Sequence, residues 1–331
     1  MNTKNKTPIG VWPYVKAMLY YKGIHSCLAI SKAFPEASHD CLTRLLNNEW
    51  MGQTLLTDTL NTLFSLRKGG FLQIDDTVIE KPYSKNFAEG RWTYSNKEGK
   101  IVFGIPLVLL VWNGEGLRIP IAYRTAHKGG PSKIELALEM LSFARNHLKL
   151  KPDYVLFDSF YSSQKILKRI SDYRWYFVCQ LKKNRHFENV ALKDYKTQPY
   201  WNDVGFLSGG LKVKVVKHRR KYYATNRLGL EAKKIRELYK ERWGIEEIFK
   251  ILKSELALEG CQAGSTSYKK ERGEKEVRAQ DHHVCLNLLA YLILEKDKEI
   301  YGLNWRQFRQ KVIIRGPTFS LPSLQCLQAT A

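Results

Sequence analysis

Four residues at helical spacing carry the sharpest chemical signal in this 331-residue chain: Tyr239, Arg242, Glu246 and Lys253. At about 100° per residue they fall within a stripe of about 60° on a single helix expected over 231–256. Leu238, Ile245, Ile248, Phe249, Leu252 and Leu256 fill the adjoining sector. A carboxylate on that border is supported by packing yet open to a ligand. Arg242 and Lys253 suit phosphate oxygens, Arg through a two-pronged contact and Lys as a point charge. Two more carboxylates follow short apolar runs: Asp75 after 71–74 and Asp158 after 154–157. Hard oxygen ligands of this kind suit Mg²⁺. Two such ions can activate a nucleophile and stabilise the leaving oxygen at a phosphodiester. Acids at strand ends are commonplace among 32 Asp/Glu, so the pair alone says little. A solvated helix face with paired charges accounts for the charges of the stripe but not for Tyr239.

The elements that must position these residues follow from periodicity and punctuation. Residues 10–66 read as helices, with Pro35 and a capping Ser38 separating two of them, a pattern compatible with a helix-turn-helix reader of DNA. A break at Lys68-Gly69-Gly70 precedes a short strand ending in Asp75-Asp76-Thr77. Residues 81–100 are polar and read as a loop. A long apolar strand over 101–112 meets Asn113-Gly114, a hairpin signal, and returns over 117–123. Ser132-Lys-Ile-Glu135 is a capping box opening a helix to about His147. A strand over 154–157, a helix from Ser163 and a strand over 175–181 follow. Residues 185–230 read as a β insertion, in which Leu211, Val213 and Val215 alternate with Lys212 and Lys214 before a basic turn at 217–221. A loop over 260–273 precedes a helix from about Val277 to Leu294, and the tail after Gly316 carries few signals. Three antiparallel strands followed by helix-linked strands is the order of a ribonuclease H-like fold. The expected architecture is α/β: a ribonuclease H-like mixed sheet flanked by helices, with a β-rich insertion and an N-terminal helical domain. The expected division is 1–68 helical and DNA-binding, 69–184 with 231–300 catalytic, 185–230 insertion and 301–331 C-terminal segment.

Composition narrows the partner. The net charge is +22, and residues 159–245 hold 21 Lys/Arg against 7 Asp/Glu. Each cation placed on a phosphate releases a counterion, so a polyanion is the natural ligand. No apolar run approaches the roughly 18–20 residues that cross a bilayer, no basic amphipathic anchor is evident, and the N-terminus has no apolar signal core. A cytoplasmic, nucleoid-associated location and no membrane partner are expected. None of the six cysteines lies at Cys-x-x-Cys spacing, so they read as reduced thiols. His282, His283 and Cys285 lack a second ligand pair and read as ordinary helix residues.

Tyr239-Lys-Glu-Arg242-Trp-Gly-Ile-Glu246 with Lys253 resembles the Tyr-x-x-Arg-x-x-x-Glu-x6-Lys signature of bacterial insertion-sequence transposases with an Asp-Asp-Glu active site. Asp75-Asp76-Thr77 resembles that family's first-aspartate pattern, with either Asp75 or Asp76 as ligand and Asp75 on the preferred register. Asp158-Ser-Phe-Tyr161-Ser162 is similar to its second. The likeness spans about residues 70–295. It implies that Asp75, Asp158 and Glu246 hold two Mg²⁺ ions, with Mn²⁺ as a substitute. It implies hydrolysis at the inverted-repeat ends of a transposon and strand transfer into target DNA, by a homodimer on double-stranded DNA in a prokaryote. Tyr239, Arg242 and Lys253 are then expected to grip phosphates near the scissile bond. Lys212, Lys214, Lys217, Arg219, Arg220 and Lys221, with Lys182, Lys183 and Arg185, are expected to follow the backbone. Trp201, Tyr222 and Tyr223 are candidates for stacking an extruded base, against a core-packing alternative. Two other readings stay open: a ribonuclease H-like nuclease or resolvase without strand transfer, and an inactive DNA-binding derivative.

Overall fold

The computed structural model describes residues 7–23, 26–47, 52–66, 69–83, 90–95, 98–261, 263 and 279–330. Lys68, residues 84–89 and 96–97 of the polar stretch, most of the 260–273 loop and Val277 lie outside the described residues.

The sheet is built on β1 (Phe71–Glu80). It pairs antiparallel with β3 (Lys100–Gly114), which pairs on its other edge with β4 (Leu117–Thr125) and β2 (Arg91–Ser95). On its opposite edge β1 runs parallel to β5 (Tyr154–Phe157), and β5 runs parallel to β6 (Phe177–Leu181). The order β4-β3-β1-β5-β6 is that of a ribonuclease H-like fold. The sheet continues from β6 through β11 (Lys221–Thr225), β10 (Leu211–His218) and β9 (Tyr200–Leu207) to the short β7 (His186–Phe187) and β8 (Val190–Ala191). Residues 185–230 thus extend the same sheet. They also include one helical turn, α7 (Leu192–Tyr195).

Four helices precede the sheet: α1 (Val11–Tyr20), α2 (Cys27–Ala33), α3 (His39–Asn47) and α4 (Gly52–Leu63). Ser38 caps α3 as expected, its hydroxyl accepting from the Cys41 amide at 3.2 Å. Between strands lie α5 (Lys133–Asn146), opened by the Ser132/Glu135 capping box, and α6 (Gln164–Asp172), capped by Ser163. After the sheet come α8 (Ala232–Glu241), α9 (Trp243–Ser254) and α10 (Ala279–Ile300). Helix α10 is apolar and buried on nearly every side, the mark of a central helix. Helices α1, α3 and α4 pack around it, with α11 (Trp305–Arg315) and α12 (Pro322–Thr330). His282, His283 and Cys285 sit in this core. His282 bonds the Leu46 carbonyl, His283 bonds Tyr14 at 3.0 Å, and the Cys285 thiol donates to the Gly52 carbonyl.

Five expectations need correction. Strand β1 does not stop at its carboxylates but runs through them to Glu80; the strand that ends beside them is β5. The hairpin turn is Glu115-Gly116, both with positive φ, not Asn113-Gly114, because β3 stays paired through Gly114. The polar stretch 81–100 contains β2, whose Trp92 and Tyr94 face solvent and so hide its strand character. The tail after Gly316, which carries few signals in sequence, holds the helix α12 (Pro322–Thr330). Helix 231–256 is two helices that meet at Arg242.

Candidate active site

Strand parity and register decide which side chains meet. Ile74 lies level with Phe157 in the parallel β1–β5 ladder, so Asp75 and Asp158 emerge together where β5 ends. Side chains alternate along a strand, so Gln73 and Asp75 share one face and Asp76 takes the other. The Gln73/Asp75 face is covered by α8 and α9. Tyr154, Leu156, Val178, Val216 and Tyr223 pack there against Ile235 and Leu238 of α8.

Arg242 ties this face together. Its guanidinium donates to Asp75 at 2.7 Å and also to Glu246. Burial works against its charge, but Asp75, then Tyr239 and Glu246, outweigh that and raise its pKa. Asp75 keeps 18% side-chain exposure. Burial pushes its carboxyl up to about 7; Arg242 opposes this, and Asp158 adds to it. Burial also raises Asp158, although its Oδ1 accepts from the Phe160 amide at 2.9 Å and the Tyr161 amide at 3.3 Å. Asp76 is held on the other side. Lys133 of α5 donates to it at 2.7 Å and the Tyr161 hydroxyl at 2.8 Å. Burial, then Asp76, keeps the Tyr161 phenol protonated far above neutrality.

Asp75, Asp158, Glu246, Arg242 and Lys253 line one cavity of about 770 Å³. Lys253 is largely buried in its wall, donating to the Val78 carbonyl at 2.6 Å and paired with Glu259 at 2.7 Å. Tyr239 lies outside the cavity on α8, its hydroxyl donating to Gln180 at 3.1 Å and its ring edge-on to Tyr223. The stripe is therefore divided: Arg242, Glu246 and Lys253 share the cavity, and Tyr239 packs beside it.

The basic strand divides as well. Phe157 is level with Cys179, Ala224 and Val215 across the sheet. Lys217 and the exposed Arg219 and Arg220 therefore lie toward the carboxylate edge, and Lys212 and Lys214 toward the opposite edge. Strand β10 stands three strands from β5, about 14 Å at the usual spacing. Trp201 stacks among Phe187, Tyr195 and Tyr222. Tyr222 and Tyr223 are buried. The core-packing alternative describes all three.

Lys133, Gln73 and Glu259 escaped the sequence reading. Gln73 had a usable signal, since its spacing of two places it on the Asp75 face. Lys133 and Glu259 reach the site from elements with no acid pattern of their own. The three expected carboxylates offer the hard oxygens a divalent ion needs, in a cavity large enough for it. As they stand, Arg242 occupies two of them. Among the described residues no group of three His, Cys, Asp or Glu is already drawn together as a metal site.

Comparisons with known proteins bear on the fold and the family. No curated protein matches the chain. The cryo-EM structure of a piggyBac transposase synaptic complex with hairpin DNA shares its fold, with a TM-score of 0.54 at 12% identity over 97% of this chain and 74% of that one. The sequence pattern of the family described as "Transposase DDE domain" matches residues 67–271, more than half of the chain. The chain belongs to the DDE transposase family.

Proposed function

We propose that this transposase cuts phosphodiesters at the inverted-repeat ends of its own element, and joins the freed 3′-hydroxyl to target DNA, using Asp75, Asp158 and Glu246. The observation that carries the proposal is the convergence of these carboxylates on one cavity, with Arg242 spanning two of them. Asp75 rather than Asp76 is the first ligand in this reading, because Asp76 is already satisfied by Lys133 and Tyr161 on the other face. Asp75, Asp158 and Glu246 would hold two Mg²⁺ ions, or Mn²⁺ in their place. Bound there, the ions supply the charge that activates a water and stabilises the leaving oxygen.

The chain's own residues prepare that step. Packing of α9 on β1 orients Glu246 toward Asp75. Arg242 screens the carboxylates from one another before substrate arrives, and then has a phosphate to bind. Lys253, in the wall of the same cavity, serves the same phosphates. Lys217, Arg219 and Arg220, with Lys182, Lys183 and Arg185, carry the duplex past the carboxylate edge, and Lys212 and Lys214 continue the contact across the sheet. Such contacts position DNA without reading its sequence. Tyr239 acts through packing in this arrangement, holding α8 against Gln180.

The Tyr239, Arg242, Glu246 and Lys253 spacing supports membership of the insertion-sequence subgroup and a prokaryotic, nucleoid-associated setting. Two ends must be brought together, which supports a homodimer on DNA. The division into a helical DNA-binding part at 1–68, a catalytic part at 69–184 and 231–300, an insertion at 185–230 and a closing segment at 301–331 belongs to the same proposal. No helix among the described residues is long and apolar enough to cross a membrane.

The test uses the inverted repeats flanking the gene as substrate, with a target plasmid added. Wild type should nick the ends in Mg²⁺ or Mn²⁺ and give joined products. Glu246→Gln should bind the same DNA in a mobility shift and leave it intact. Cleavage without joining would move the assignment to a nuclease or resolvase. Binding without cleavage by wild type would move it to an inactive derivative.

A further inference from the structure

We propose that Gln73 is a positioning residue of this site: its buried amide holds the α8–α9 joint open, so that Arg242 and Glu246 face Asp75. The inference rests on the assignment of Asp75 and Glu246 above.

The joint is a break in the helical ladder. In a continuous helix the Ile245 amide donates to the Glu241 carbonyl, four residues back. Here Ile245 donates to the Arg242 carbonyl instead, at 3.2 Å, and Arg242 donates to the Tyr239 carbonyl, also at 3.2 Å. Both are the three-residue bonds of a tightened turn. The Glu241 carbonyl is left without its helical donor, and Gln73 Nε2 takes that place at 2.7 Å. A side chain inserted into the ladder is a recognised cause of a helix break.

Three features argue that this contact is more than filler. Gln73, the third residue of β1, is fully buried. Its Oε1 has no hydrogen-bond partner among the described residues, a burden that an apolar residue of the same shape would avoid. The neighbouring joint residue is Gly244, which gives up helix propensity. A Cβ there would stand 3.0 Å from Arg118 Nε and 3.3 Å from Gln73 Oε1. The amide and the glycine together keep the joint tight against β1, two residues from Asp75. A tightened residue turns by about 120° rather than about 100°, so the break rotates Arg242 and Glu246 relative to Tyr239. That rotation matches the division of the stripe, with Arg242 and Glu246 in the cavity and Tyr239 against Gln180.

The test compares wild type with Gln73→Met, which keeps the bulk and removes the donor, and with Gly244→Ala, which favours helix yet crowds the joint. Mn²⁺ binding to the DNA-free protein is read by electron paramagnetic resonance. Amide hydrogen exchange across 241–246 is read without metal. Cleavage of the flanking repeats is read at saturating Mn²⁺. Gln73→Met should raise the Mn²⁺ half-saturation at least fivefold and change exchange at Ile245, with the thermal midpoint of the rest of the chain little moved. Gly244→Ala should shift half-saturation the same way by a smaller factor without lowering the melting temperature, a combination that a merely structural role does not produce. If Gln73→Met fails to fold, Gly244→Ala alone decides by the same criterion. Unchanged half-saturation and unchanged exchange in the folded variants overturn the proposal. Failure of wild type to bind Mn²⁺ or cleave overturns the metal assignment instead, and the exchange data still decide whether Gln73 holds the joint.

Discussion

The two faces of β1 carry adjacent aspartates that the fold treats in opposite ways. Asp76 points toward α5 and finds a lysine and a phenol, each within hydrogen-bond distance. Asp75 points toward α9 and finds Arg242, which it shares with Glu246, beside a second aspartate that raises its pKa further. One side is a closed ion pair with its hydrogen bonds made. The other is a cluster of three carboxylates in which Arg242 bridges Asp75 and Glu246; the cavity that holds this cluster is also lined by Asp76 and Lys133. Strand parity alone separates a satisfied acid from one that is in want of a cation.

The largest effect expected from this contrast is on catalysis. Asp75→Asn should abolish cleavage of the flanking repeats with DNA binding retained. Asp76→Asn should cost only about 10- to 100-fold, the range for residues that support a metal ligand. Equal loss in both variants, read in the same single-turnover assay, would erase the distinction between the faces.

The next effect is on pH. A carboxyl whose folded pKa is raised takes up a proton on folding between its unfolded value, about 4, and its folded value. For Asp75 the folded value is about 7. Its favourable share of stability is therefore full below about pH 4 and is lost as the pH rises through about 7. The difference in stability between wild type and Asp75→Asn, measured by urea unfolding without metal, should change across that window and level off above it. A divalent ion competes with the same proton, so the Mn²⁺ concentration at half-saturation should rise about tenfold for each pH unit that the pH drops below 7. A flat difference curve would mean that Asp75 is already ionised.

The smallest effects come from the hydroxyls. Tyr161→Phe removes one hydrogen bond to Asp76 and should cost about 1 kcal/mol or somewhat more, since the acceptor is charged. Tyr239→Phe removes the bond to Gln180 and should cost about 1 kcal/mol or less, with cleavage nearly unchanged. A cleavage defect in Tyr239→Phe far larger than its stability cost would return that phenol to the phosphate-gripping role expected from its spacing.

Much of this arrangement was legible where the interactions are local. The Ser132/Glu135 box, the cap at Ser38 and the strand at 154–157 depend on neighbours in sequence, and each is found where the pattern puts it. The convergence of Asp75 with Asp158 followed from strand order. The break at Arg242 was hidden, because Gln73, whose amide takes the Glu241 carbonyl, lies 168 residues from it and reads as an ordinary polar residue in a strand. The division of the basic strand was hidden too. It depends on the register of β10 against β11 and of β11 against β6, which alternation of Lys with Val does not encode. Strand β2 was missed because its aromatics face solvent, the reverse of the usual pattern.

The most direct test of the central assignment is the anomalous scattering of Mn²⁺ in crystals of Glu246-intact protein bound to its repeat-end DNA in a non-cleavable form. The account predicts Mn²⁺ peaks touching Asp75, Asp158 and Glu246, with Arg242 turned from those carboxylates to a phosphate and Asp76 still paired with Lys133. Peaks on Asp76, or Arg242 still spanning Asp75 and Glu246 with Mn²⁺ bound elsewhere, would contradict it.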